Sequence, residues 1–122
     1  MARARTKRGR LRQIENWLAD KFPTSRPTTV RVADLAPRDS EMIGGSDRVG
    51  RNICIRIHSK LTLSQSVDVL HEEWAHAMVW PLASMEHKAK QHGEDWGIAY
   101  AKIRHEYDDL NGQADSMDYP ED

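Results

Sequence analysis

His71-Glu72-Glu73-Trp74-Ala75-His76 places two imidazoles and two carboxylates within six residues, and His92-Gly93-Glu94-Asp95-Trp96 begins sixteen residues after His76. These side chains can hold a divalent cation and move a proton. In zinc hydrolases two ligands one helical turn apart share a helix face, and a glutamate beside the first activates the metal-bound water. The usual spacing for that work is His-Glu-x-x-His. Here the two histidines are five apart instead of four.

That extra residue sets a register problem. On a regular helix, positions i and i+4 differ by about 40°, whereas i and i+5 differ by about 140° and point apart. One repair is a π-bulge near Trp74, which returns His71 and His76 to one face and leaves Glu72 as the base. The other keeps the helix regular. Glu72 then takes the place of the first histidine, Glu72 and His76 are the ligand pair, and Glu73 stands in the base position. Three imidazoles (His71, His76 and His92) make the commoner site and favour the bulge. The unbroken apolar stripe Leu70, Trp74, Ala77 and Met78 favours the regular helix. Both remain open at this point, and His76 belongs to each.

A third ligand is expected from the chain just beyond this helix. His92 is better placed than His87, because Gly93 and Trp96 fix the turn that opens the next helix. A capping histidine with no metal is the plainer reading of His92. A solvated surface position is the reading for His87, and His58 and His105 read as structural or surface residues.

The elements that must position these groups follow from periodicity. Leu11, Ile14, Trp17, Leu18 and Phe22 recur at helical intervals and predict an amphipathic helix over residues 9–22, stopped before Pro23. Thr28–Ala33 alternates and is β-branched, which reads as a strand. Residues 34–50 carry Pro37, Gly44, Gly45 and Gly50 and read as a turn or short irregular hairpin. Arg51–His58 alternates strictly, with Ile53, Ile55 and Ile57 on one face. Thr62 and Gln65 form a capping box that opens the histidine helix, and Pro81 closes it. Ser84–Gln91 is a polar linker. A last helix runs from Glu94 to Leu110, with Trp96, Ala99, Tyr100, Ile103, Tyr107 and Leu110 on one face. The expected architecture is α+β, with an N-terminal helix, a short antiparallel sheet, the motif helix and a C-terminal helix.

Composition bounds the rest. At 122 residues, 39% apolar and 30% charged, the chain suits one domain with a modest core. No apolar run approaches the roughly 20 residues that span a bilayer, and no secretory h-region opens the chain. The lone Cys54 excludes an internal disulfide and a cysteine-based zinc site, and suits a reducing cytoplasm. The net charge of −1 hides an asymmetry. Arg3, Arg5, Lys7, Arg8, Arg10 and Arg12 precede the first acid, Glu15, while seven acids and no base follow Arg104. Residues 1–10 read as a basic arm, 11–110 as the domain and 111–122 as an acidic tail. The arm is either a solvated end or a weak, sequence-independent contact for DNA.

The strings Leu70-His71-Glu72-Glu73-Trp74-Ala75-His76-Ala77 and His92-Gly93-Glu94-Asp95-Trp96-Gly97-Ile98-Ala99-Tyr100-Ala101 resemble the SprT-like (Spartan-type) zinc metalloproteases, in particular small phage-encoded versions. That family places His-Glu-x-x-His on a helix and draws its third histidine from a His-Gly-x-x-Trp segment. The second string fits without change. The first matches from Glu73 onward and departs at the first ligand. The resemblance covers residues 51–107. It implies a minimal zincin fold, a bound Zn2+, hydrolysis of protein or peptide substrates in the cytoplasm (the host's, for a phage protein), and association with DNA. It also implies that the strand Arg51–His58 is the edge on which an extended substrate pairs. Two other readings stand beside it: a SprT-like pseudoenzyme serving as a phage structural or accessory protein, and a nucleic-acid-binding module working through the arm.

Overall fold

The computed structural model describes residues 4–34, 44–80 and 93–110. The Ser84–Gln91 linker with His87, the candidate ligand His92 and the acidic tail 111–122 lie outside them. Six elements follow in order: α1 (Lys7–Lys21), β1 (Thr28–Ala33), β2 (Gly44–Val49), β3 (Asn52–His58), α2 (Leu63–Val79) and α3 (Glu94–Leu110). The class is α+β, as the alternation of periods predicts.

The sheet departs from expectation in three ways. It is mixed rather than antiparallel: β1 runs parallel to β3, with Val30 opposite Ile55, and β2 runs antiparallel to β3, with Ser46 opposite Ile55. A third strand, β2, lies in the stretch read as a turn or short irregular hairpin, and it pairs with β3. Gly44 is there for close approach, because a Cβ on it would collide with the Val69 side chain of α2. Finally, the strand order is β1-β3-β2, so β3 is central and cannot be the edge that receives a substrate strand. Gly50, at φ 62°, closes the β2–β3 hairpin in a backbone region that favours glycine.

Helix α2 is the centre of the molecule, packed on β2 and β3 and flanked by α1 and α3. Its capping box is formed as predicted: Gln65 N donates to Thr62 Oγ1 (3.2 Å) and Thr62 N to Gln65 Oε1 (3.0 Å). The core joins Ile53, Ile55 and Ile57 from β3 to Val67, Leu70, Trp74 and Ala77 from α2, with Leu11, Ile14 and Leu18 of α1 and Ala99, Ile103 and Tyr107 of α3 closing it. Helix α1 begins earlier than its apolar pattern does, at Lys7, with Thr6 Oγ1 accepting from Gly9 N. Two residues of the expected arm are consequently buried, Lys7 and Arg10. Lys7 Nζ donates to the carbonyls of Ser59 (3.0 Å) and Leu61 (2.9 Å), tying the helix to the β3–α2 turn. Among the described residues no helix is long and apolar enough to cross a membrane.

Candidate functional site

Helix α2 is an uninterrupted α-helix from Leu63 to Val79, with no bulge at Trp74. The register problem therefore resolves as geometry requires: His71 and His76 diverge, and Glu72 and His76 stand one turn apart. The structure does not bring His71 and His76 together.

His71 faces the core. It is fully buried, its ring lies edge-on to Tyr107 at 4.6 Å between centroids, and its Nδ1 is 3.0 Å from Arg104 Nη1. Burial first, and the Arg104 guanidinium second, pull its pKa from 6.5 down to about 3. A guanidinium only donates, so Nδ1 accepts and the proton of this neutral imidazole sits on Nε2. That Nε2 is buried and has no hydrogen-bond partner among the described residues.

Glu72, Glu73 and His76 are half-buried on the other side of the helix. Glu72 and His76 are organised by α3. Trp96 Nε1 donates to the Glu72 carbonyl (3.0 Å), and the indole packs on the His76 ring at 5.5 Å and 30°. Tyr100 stacks on Trp96 at 5.0 Å and donates its hydroxyl to Asp68 (2.9 Å), while Arg104 reaches the same carboxylate at 3.6 Å. Partial burial, then the bond to Asp68, raises the Tyr100 pKa to about 12, so the phenol keeps its proton and remains a donor.

Two stripes thus face each other: Asp68, Glu72 and His76 on α2, and Trp96, Tyr100 and Arg104 on α3, each at four-residue spacing. Asp68, Tyr100 and Arg104 were not among the residues singled out by chemistry. The repeat of four on both helices is the signal that could have found them.

As to metal, no group of three His, Cys, Asp or Glu side chains among the described residues is arranged to hold an ion. Glu72 and His76 offer two donors. His92 precedes in sequence the helix whose first turn, closed by Gly97 N on the Gly93 carbonyl (2.9 Å), carries Trp96 to this face. The other histidines among the described residues are elsewhere: His58 Nδ1 accepts from Lys60 N at 3.2 Å, and the exposed His105 lies 3.7 Å from Asp109. Comparison with protein-family models, with curated proteins and with solved structures gave no match.

Proposed function

We propose that the chain is a zinc-dependent peptidase in which Glu72, His76 and His92 hold the metal and Glu73 is the general base. The observation that carries this reading is the regularity of α2, with Trp96 seated on Glu72 and His76 together. With Glu72 as first ligand, Glu73 and His76 fall at the i+1 and i+4 positions of the His-Glu-x-x-His pattern without distortion. One carboxylate and two imidazoles are a donor set that zinc accepts, and half-burial suits a bound ion that must still meet substrate. Zinc, when bound, supplies the Lewis acidity that polarises a scissile carbonyl.

The chain's own groups supply the rest. Glu73 accepts a proton from the attacking water and returns it to the leaving amine. Trp96 is a positioning residue, since its ring limits how His76 can turn and its N–H ties the Glu72 carbonyl to α3. The resemblance to SprT-like proteases in the strings around His76 and His92 supports the same assignment.

A second reading, a pseudoenzyme that keeps the fold, is favoured by one observation: the only other histidine of the motif, His71, is sealed in the core and occupied by Arg104. Zinc content and peptide hydrolysis of the purified chain separate the two. Stoichiometric zinc with hydrolysis that is lost in Glu73→Gln supports the peptidase. Stoichiometric zinc with no hydrolysis of any peptide in a random library supports the pseudoenzyme. Zinc that is absent, or unaffected by both His76→Ala and His92→Ala, overturns the metal site.

A further inference from the structure

The large apolar side chains exposed among the described residues are Val49 and Ile98, at 63% and 51%. Each is set among charges of one sign. Val49 ends β2 beside Arg48, and Gly50 then turns the hairpin so that Arg51 follows. Both arginines are exposed, and neither has an ion pair or hydrogen bond among the described residues. Asp47 does not offset them, because its carboxylate is paired with Arg56. Ile98 lies one turn beyond Glu94 and Asp95, which open α3 and are likewise exposed and unpaired among the described residues. It stands about 160° around α3 from Trp96, clear of the face that meets α2. Lys102, a turn further on, marks the limit of this acidic surface.

A single exposed apolar residue needs no explanation. Here two of them sit on surfaces of opposite charge that do not meet within the chain: α3 packs on α2 and has no comparable contact with β2 or β3.

We propose that the chain associates head to tail with a second copy of itself, the Arg48–Arg51 hairpin tip of one molecule docking on the Glu94–Ile98 turn of the next. Val49 covers Ile98 at the centre, and Arg48 and Arg51 meet Glu94 and Asp95 around it, an apolar contact with a charged rim. A polyanion would suit the hairpin and be repelled by the α3 turn, whereas a second copy satisfies both surfaces at once. The two patches differ, so the contact is heterologous and each molecule can take part in two. It is small beside standard interfaces, which makes the association weak, with a Kd on the order of 0.1–1 mM. Its rim charges stay near solvent and are screened by salt. The contact does not depend on zinc or on the proposed hydrolysis.

The test is sedimentation equilibrium, with 15N–1H spectra, of the full chain diluted from about 1 mM to about 10 μM, a range that brackets such a Kd. At about 0.05 M salt the mean mass should fall toward the monomer on dilution, with shift changes centred on residues 48–51 and 94–98. At about 0.5 M salt the association should be lost. Charge exchange is the decisive arm. Arg48→Glu with Arg51→Glu, and separately Glu94→Lys with Asp95→Lys, should each be monomeric, and their equimolar mixture should associate as the parent does. Lysines in the first turn of α3 oppose the helix dipole, so Val49→Ser and Ile98→Ser are the milder variants, each expected to weaken association about tenfold. A parent that is monomeric throughout the range overturns the proposal. So does association that survives both double variants, that is undiminished in Val49→Ser and Ile98→Ser, or that fails to return when the two double variants, each folded, are mixed.

Discussion

Arg104 Nη1 lies 3.0 Å from His71 Nδ1, and this contact together with full burial decides the charge of the histidine. The unfolded chain takes up a proton there near 6.5, whereas the fold resists it down to about 3. Between those values the unfolded state binds more protons, so stability rises with pH. The contribution is therefore fully present above 6.5 and is lost as pH falls toward 3, at about 1.4 kcal/mol per unit for one proton. Urea unfolding at pH 4.5, 5.5 and 6.5 should show this slope in the parent, and His71→Leu should flatten it by that amount. Equal slopes in the two proteins would show that His71 is protonated in the fold.

Two glycines should respond to alanine with opposite signs. A Cβ at Gly44 would strike Val69 Cγ1 and come within 2.9 Å of the Arg56 carbonyl, which cannot move without breaking the sheet. Gly44→Ala should cost about 1–3 kcal/mol. At Gly97, inside α3, a Cβ meets nothing within 4 Å. Gly97→Ala should stabilise by about 0.5–1 kcal/mol. Thermal unfolding of the pair checks both, and a harmless Gly44→Ala would mean that β2 does not approach α2 so closely.

These glycines also mark where sequence reasoning stopped. Elements written in side-chain periodicity were legible: the Ile53–Ile57 alternation and the Thr62–Gln65 box, while the stripe on α2 favoured a regular helix without deciding against a bulge. β2 was not, because Gly-Gly-Ser-Asp-Arg-Val has neither alternation nor a turn-free composition; what makes it a strand is backbone pairing and contact with Val69, which are tertiary. Sheet direction failed for a related reason, since parallel pairing of β1 with β3 depends on a third strand that had no signal. At the site, His71 attracts attention by residue type but is claimed by Arg104, 33 residues along the chain, a partner no local pattern names.

The N-terminus should divide sharply into a dispensable and an essential part. Arg5, Arg8 and Arg12 are exposed, whereas Lys7 is buried with two carbonyls on its ammonium. Lys7→Met leaves those carbonyls without their donor and should cost about 1–3 kcal/mol. Removing residues 1–5 should cost little, and removing 1–12 should unfold the domain, since it takes Thr6, Lys7, Arg10 and Leu11 together. If the exposed arginines contact DNA, Arg8→Ala with Arg12→Ala should lower affinity for any duplex and reduce its salt dependence without changing stability. A fold that survives deletion of 1–12 intact would contradict the placement of α1.

The metal assignment makes the sharpest demand, because the regular helix gives neighbouring residues separate jobs. Glu72→Gln removes a charged ligand and should weaken zinc binding. Second-sphere losses alone are about 10–100-fold, so a direct ligand should lose at least that. Glu73→Gln should bind zinc like the parent and lose hydrolysis by about 10²–10⁴-fold, as expected for a missing general base. His76→Ala and His92→Ala should each lose the metal. His71→Leu should leave zinc affinity unchanged while altering acid stability, and this separates a core residue from a ligand. Zinc titration monitored by a competing chelator, with circular dichroism to confirm folding, ranks all five. Should His71→Leu lose zinc and Glu72→Gln retain it, the helix must be bulged when metal is bound, and Glu72 rather than Glu73 is the base. Should neither matter, zinc has no place on this face of α2, and the half-buried pair packed by Trp96 is an interhelical contact and nothing more.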